Sequence, residues 1–151
     1  MKTYVLIVSN EFPSTHYRSG ERTEFPSKVL KRNDVGGKKH TLRGNYALWQ
    51  KRFDKILSGE AILSVRYWSG RPYHSRQITI TDLSVNDGIG LQRVAFANNY
   101  MSVLIVDGNI LNVEQVANND GLSIVDFIGW FKHKRETNKD MALIHFTNFR
   151  Y

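Results

Sequence analysis

The sequence of 151 residues contains no cysteine. That single absence removes disulfides, thiol chemistry, iron–sulfur clusters and Cys-ligated zinc. Proline is scarce, with three residues, and two of them, Pro13 and Pro26, fall in one polar stretch. Long apolar runs are missing too. The longest are of four or five residues, as in Val5–Val8 and Phe127–Phe131, whereas a membrane-spanning helix needs about 20 apolar residues; no membrane partner is expected. The start, Met1-Lys2-Thr3-Tyr4, lacks the layout of a secretory leader, and a cytoplasmic location is the expectation. His16, His40, His74, His133 and His145 stand at no metal-ligand spacing. There is no Gly-x-Ser-x-Gly elbow and no phosphate loop, and Gly88-Ile89-Gly90 lacks the rest of a dinucleotide fingerprint. Neither a metal nor a cofactor is expected.

What remains has the composition of an ordinary globule, 41% hydrophobic and 23% charged, long enough for one domain over residues 1–151 with a real core. The charge is unevenly placed. Residues 1–76 carry 15 basic and 6 acidic side chains, a net of +9, and residues 77–151 a net of −2. A basic half points to a polyanionic partner, because each cation placed on a phosphate releases a counterion; a solvated surface that aids solubility is the plain alternative. Within that half, the segment Arg66–Arg76 mixes Trp68, Tyr67 and Tyr73 with Arg66, Arg71 and Arg76. Rings beside guanidinium groups can stack bases while the cations hold the backbone. The same rings could instead pack on the core.

Periodicity predicts a strand over Thr3–Ser9, a long loop over residues 10–26, a short helix over Pro26–Lys31 and an extended stretch at His40–Arg43. Tyr46–Leu57 reads as a helix with Trp49, Phe53, Ile56 and Leu57 on one face, closed by Gly59. Strands follow at Ala61–Trp68, Gln77–Thr81, Ile89–Ala97 and Met101–Val106, with an Asp107-Gly108 turn before Ile110-Leu111. A last helix opens at Ser123, with Asp126 at its third position, a stripe of Ile124, Phe127, Ile128 and Phe131, and Lys132, His133, Lys134 and Arg135 at its end. Met141–Phe146 closes the chain as a strand. Strands with two or three interspersed helices and no βα alternation predict an α+β fold, a small curled mixed sheet flanked by those helices.

Chemistry concentrates in two places. Gly36-Gly37-Lys38-Lys39-His40-Thr41-Leu42-Arg43 packs four cations or near-cations and a hydroxyl behind a glycine pair whose amides can hold an anion. If extended, it shows Lys39, Thr41 and Arg43 on one face and Lys38, His40 and Leu42 on the other. An exposed basic turn would look the same. Asn118-Asn119-Asp120-Gly121, before the Ser123 helix, is a turn with Gly121 at positive φ, or a carboxylate facing the basic loop.

These segments in this order resemble the ASCH domains of the PUA-like superfamily. The resemblance rests on Gly-Gly-Lys-Lys-His-Thr-Leu-Arg, on the later Asp-Gly-Leu-Ser-x-x-Asp-Phe-x-x-Trp-Phe and on the final Met-Ala-Leu-Ile-His-Phe, and it covers roughly residues 26–147. It implies a PUA-like β-barrel with a cleft where the basic loop meets the late acidic turn, and an association with RNA. Some such domains are amidohydrolases that remove the acetyl group of N4-acetylcytidine with a Thr, Lys and Glu set, and others are ribonucleases. Carried onto this chain, Lys38, Thr41 and Arg43 match that pattern, and Asp120 stands where the Glu belongs. The expectation is an RNA-, nucleoside- or nucleotide-binding domain, with a small hydrolase as the alternative in which Lys38, Thr41 and Asp120 are catalytic. A Thr hydroxyl needs a base, and Lys38 serves only if partly neutral, which burial favours and Asp120 opposes. Arg43 would hold a phosphate or an oxyanion. Lys39, His40, Arg66, Trp68, Arg71, Tyr73 and Arg76 complete the expected binding surface, with the Arg66–Arg76 connection as one wall of the cleft. The alternative has Trp68 in the core against Trp49 or Phe53.

Overall fold

Two sheets, rather than one, divide the strands. The computed structural model describes residues 1–134 and 139–151. β1 (Lys2–Ile7) runs parallel to β3 (Ala61–Trp68), which pairs antiparallel with β4 (Gln77–Leu83). The second sheet is antiparallel, in the order β2 (His40–Arg43), β8 (Met141–His145), β5 (Gly90–Phe96), β6 (Val103–Val106), β7 (Asn109–Asn112). β8 lies inside this sheet, and all five of its residues are buried, as expected of its unbroken Met-Ala-Leu-Ile-His run. Among the described residues neither sheet closes on itself. The class is α+β; the single curled sheet is replaced by these two.

Four helices, one or two more than expected, accompany them. In α1 (Phe25–Leu30) Phe25 and Val29 are buried. α2 (Tyr46–Leu57) forms over the predicted residues; Asn45 caps it by accepting the Leu48 N–H at 3.2 Å, and Trp49, Phe53 and Ile56 enter the core. Leu57 stays half exposed, because at about 100° per residue it lies some 80° round from Trp49. α3 (Val113–Asn119) was not expected: Val113, Val116 and Ala117 give it an i, i+3, i+4 face only one turn long. α4 (Ile124–Phe131) is capped by Ser123, whose hydroxyl accepts the Asp126 N–H at 3.1 Å. Its stripe corrects the expected one: Ile124 is exposed, while Asp126 and Gly129 are buried with Phe127 and Phe131. Arg135, expected at the end of this helix, lies outside the described residues.

The stretch from Asn10 to Glu24 is a strap held down on α4. Phe12 and His16 are buried beside Trp130, and Gly129 makes room, since a Cβ there would sit 2.9 Å from His16 Nε2. His16 Nε2–H donates to the Asp126 carbonyl at 3.0 Å, Arg18 donates to the Asp126 carboxylate at 2.6 Å, and Tyr17 O–H donates to the same carboxylate. The Thr23 hydroxyl closes the loop onto the Ser9 carbonyl at 2.7 Å.

Candidate functional site

A cavity of about 320 Å³ opens where β1 ends. Ile7, Val8 and Ser9 form one side, β2 and Gly44 another, and Phe25, Trp130 and Phe131 an apolar wall. Lys38, Thr41, Arg43 and Asp120 all line it, as do Pro13 of the strap and Lys134. A second, shallower concavity of about 530 Å³ beside the start of α4 contains Glu114 and no cation. The charged chemistry is therefore in the first.

Local structure explains why four residues from three elements meet. Lys38 precedes β2, so it escapes strand alternation and can share a wall with Thr41. Asp120 is the C-terminal cap residue of α3, and Gly121 at φ +80° then turns the chain; a Cβ at Gly121 would lie 3.3 Å from Lys38 Cβ. That turn leaves Asp120 within hydrogen-bond reach of Lys38. Lys38 Nζ donates to Asp120 Oδ1 and to the Asp120 carbonyl, both at 2.9 Å, and sits 3.9 Å above the Phe25 ring. Both side chains are buried.

The electrostatic conflict resolves in a definite direction. Burial pushes Lys38 down to about 8, against the upward pull of the Asp120 charge. Burial alone would raise Asp120, but the Lys38 charge and the His40 hydrogen bond hold it below the usual carboxylate range. At neutral pH the pair is ionised, with a minor fraction of Lys38 neutral.

His40 is not on the cavity wall. It is buried behind it, with Nδ1 3.3 Å from Asp120 Oδ1 and Nε2 2.7 Å from the Tyr151 hydroxyl. Burial lowers its pKa. An ionised Asp120 can only accept, so Nδ1 carries the proton and Nε2 accepts from Tyr151 O–H, which in turn accepts from Asn119 Nδ2 at 3.0 Å. His145 completes this rear layer. Its Nε2–H donates to Gln92 Oε1 at 2.9 Å, its Nδ1 is a buried acceptor without a partner among the described residues, and burial pushes it down to about 2.

Thr41 does not bond Lys38. Its hydroxyl oxygen accepts from Arg43 Nη1 at 2.7 Å, which leaves the hydroxyl proton free to be donated. Lys39 turns away and donates to the Arg32 carbonyl at 3.0 Å.

The expected wall at Arg66–Arg76 is corrected. None of its residues lines the cavity; the strap and the ends of β1 and α4 occupy that place. Arg66 is held by Ser64 Oγ at 2.8 Å and Gln77 Oε1 at 3.2 Å, and Trp68, half-buried, packs on Tyr73 with centroids 5.2 Å apart. No ring contact links Trp68 to Trp49 or Phe53 among the described residues, so the core alternative fails as well. Arg71, Tyr73 and Arg76 are exposed. Trp130, Phe25 and Lys134 were not foreseen as site residues; the Trp-Phe pair at the end of α4 was the available signal. Tyr151 gave none.

Fold and site define, among the described residues, an α+β protein with a small, partly open cationic cavity whose one lining carboxylate is paired to a buried lysine. Compared with known proteins, the chain matches no family model, no curated protein and no solved structure.

Proposed function

We propose that this chain is an ASCH-type, PUA-like domain that binds RNA or a nucleotide by receiving one nucleoside in the cavity. The observation that carries the reading is convergence: the residues that make the resemblance, Lys38, Thr41, Arg43 and Asp120, line one concavity although 82 positions separate Lys38 from Asp120 in sequence. Its volume of about 320 Å³ suits a ligand of nucleoside size, at the small end of ligand pockets. Trp130, half-buried on the cavity wall, offers aromatic surface for a base. The test is binding of single-stranded RNA and of nucleosides and nucleotides at about 50 mM salt and again at higher salt. Micromolar or better affinity that falls steeply with salt is expected for RNA. Affinity no better than millimolar for every probe at low salt would remove the proposal.

A second reading, hydrolysis of an acylated nucleoside such as N4-acetylcytidine, is favoured by one observation: Lys38 is pushed down to about 8. Its neutral form can take the Thr41 hydroxyl proton as Oγ1 bonds to the acetyl carbon. That proton passes to the exocyclic nitrogen as the C–N bond breaks, and water then cleaves the acetyl-threonine ester. The rate should rise with pH towards about 8 as Lys38 loses its proton. Release of cytidine from N4-acetylcytidine, equal in wild type and Thr41→Ala, would eliminate this mechanism.

A further inference from the structure

The charges of the cavity do not balance. Among the described residues Asp120 is the one carboxylate on its wall, and its Oδ1 is already shared by Lys38 and His40. Arg43, half-buried, has neutral acceptors only: the Thr41 hydroxyl at 2.7 Å, the Leu42 carbonyl at 2.9 Å and the Ile7 carbonyl at 2.6 Å. No acidic side chain pairs with it among the described residues. Burial of this guanidinium outweighs the pull of the Asp120 charge and lowers its pKa, so a further anion beside it would be favourable.

The donors of Arg43 show where the missing charge belongs. Nη1 spends both of its N–H groups on Thr41 and Leu42, and Nη2 spends one on Ile7. Nε–H and the second Nη2–H remain without an acceptor among the described residues. They belong to adjacent nitrogens of one planar group, whose fork geometry matches two oxygens of a phosphate. Lys134 lines the same cavity, and burial together with the Arg43 charge lowers its pKa. Two cations thus share a cavity whose one carboxylate among the described residues, Asp120, is already paired with Lys38.

We propose that Arg43 and Lys134 form an anion subsite inside the cavity that takes the phosphate monoester of a nucleotide. This deepens the nucleotide reading above and rests on it. The phosphate comes from a free nucleoside monophosphate or from the phosphorylated end of an RNA strand, and at about −1.5 to −2 charges it offsets both cations. Lys38 is not part of the subsite, because Asp120 already balances it. Trp130 on the apolar wall is left for the base.

Calorimetric titration of the full chain with cytidine, cytidine 5′-monophosphate and a 5′-phosphorylated trinucleotide tests this. The monophosphate is expected to bind at least about tenfold more tightly than cytidine at about 50 mM salt, and the gain should shrink as salt rises. Lys134→Gln, a change beyond the end of α4, should reduce that gain severalfold. Arg43→Gln should abolish it, in protein shown by circular dichroism to be folded. A trinucleotide that binds more tightly than the monophosphate assigns the phosphate to an RNA end, and a weaker one assigns it to a free nucleotide. Equal affinity for cytidine and its monophosphate overturns the subsite while leaving the nucleotide reading intact. So does a gain that both variants retain, since the phosphate would then bind elsewhere. Failure of all three probes, with longer RNA failing too, removes the nucleotide reading itself.

Discussion

Lys38 and Asp120 set the energetics of the site one residue at a time. Lys38 is among the largest fully buried side chains, and its ammonium is held by two oxygens of Asp120 and the face of Phe25. Removing one partner of such a pair leaves the other charge buried and alone, at a cost of about 3–5 kcal/mol. Asp120→Asn should therefore lower unfolding free energy by about that much in urea titrations, and a loss below about 1 kcal/mol would show that the pair is not buried as described. The pH dependence has a definite sign. Lys38 falls from 10.5 to about 8 on folding, so between those values the unfolded chain binds more protons than the folded one. Stability contributed by this residue is then lowest below pH 8 and rises with pH through that window, by up to about 3 kcal/mol. Tyr151 acts oppositely: burial raises its pKa above 10, so its contribution is lost as pH climbs past the tyrosine value of the unfolded chain. Denaturation midpoints should climb from pH 8 towards 10. Midpoints that fall across that interval would contradict the burial of Lys38.

At the scale of elements, α4 and the strap depend on Asp126. It is the third residue of the helix, where its charge favours the positive end of the dipole, and it also receives Tyr17, Arg18 and, through its carbonyl, His16. Asp126→Ala keeps the Ser123 cap but removes the charge-assisted hydrogen bonds from Tyr17 and Arg18. Trypsin cleavage after Arg18 and Arg22 should accelerate severalfold, with α2 and the five-stranded sheet still protected from hydrogen exchange. Unchanged cleavage would mean that Phe12 and Trp130 alone hold the strap. The strap also shows what could be read beforehand. Caps and alternation are local, and they gave α2, β3 and the start of α4 to the residue. α3 carries only one turn of apolar pattern, and the division into two sheets depends on β1 pairing with β3 across 59 positions, which no local signal encodes. In the site, Lys38, Thr41, Arg43 and Asp120 were legible as residue types in a known order. Trp130 and Lys134 were not, because the tertiary path of the strap and of α4 decides what faces the cavity.

On the scale of the whole molecule, the ends of β1 and β3 fix where the exposed hairpin of residues 69–76 lies relative to the cavity. β1 and β3 run parallel with Ile7 opposite Arg66, and the Val8 N–H donates to the Arg66 carbonyl at 2.9 Å. β3 therefore continues past the end of β1, where the cavity opens, and the hairpin carrying Arg71, Tyr73 and Arg76 projects beyond that same end of the sheet. Excluded from the cavity wall, it bears on binding only if a bound RNA strand extends past the cavity. Affinity for a single nucleotide should then be indifferent to this hairpin, whereas affinity for longer RNA should depend on it. Replacing Arg71 and Arg76 together by Gln should leave mononucleotide binding within about twofold and reduce the slope of log K against log salt for an oligonucleotide by about 1.4, at about 0.7 per lost phosphate contact. Trp68→Ala should weaken the oligonucleotide by about 1–3 kcal/mol if a base stacks there, with little effect on melting, since Trp68 packs on exposed Tyr73 rather than in the core. Both variants are surface changes on a hairpin that the core does not need. A slope unaltered by the double replacement would move the path of the strand to another face, and the net of +9 in residues 1–76 would then act through the strap and α1 instead.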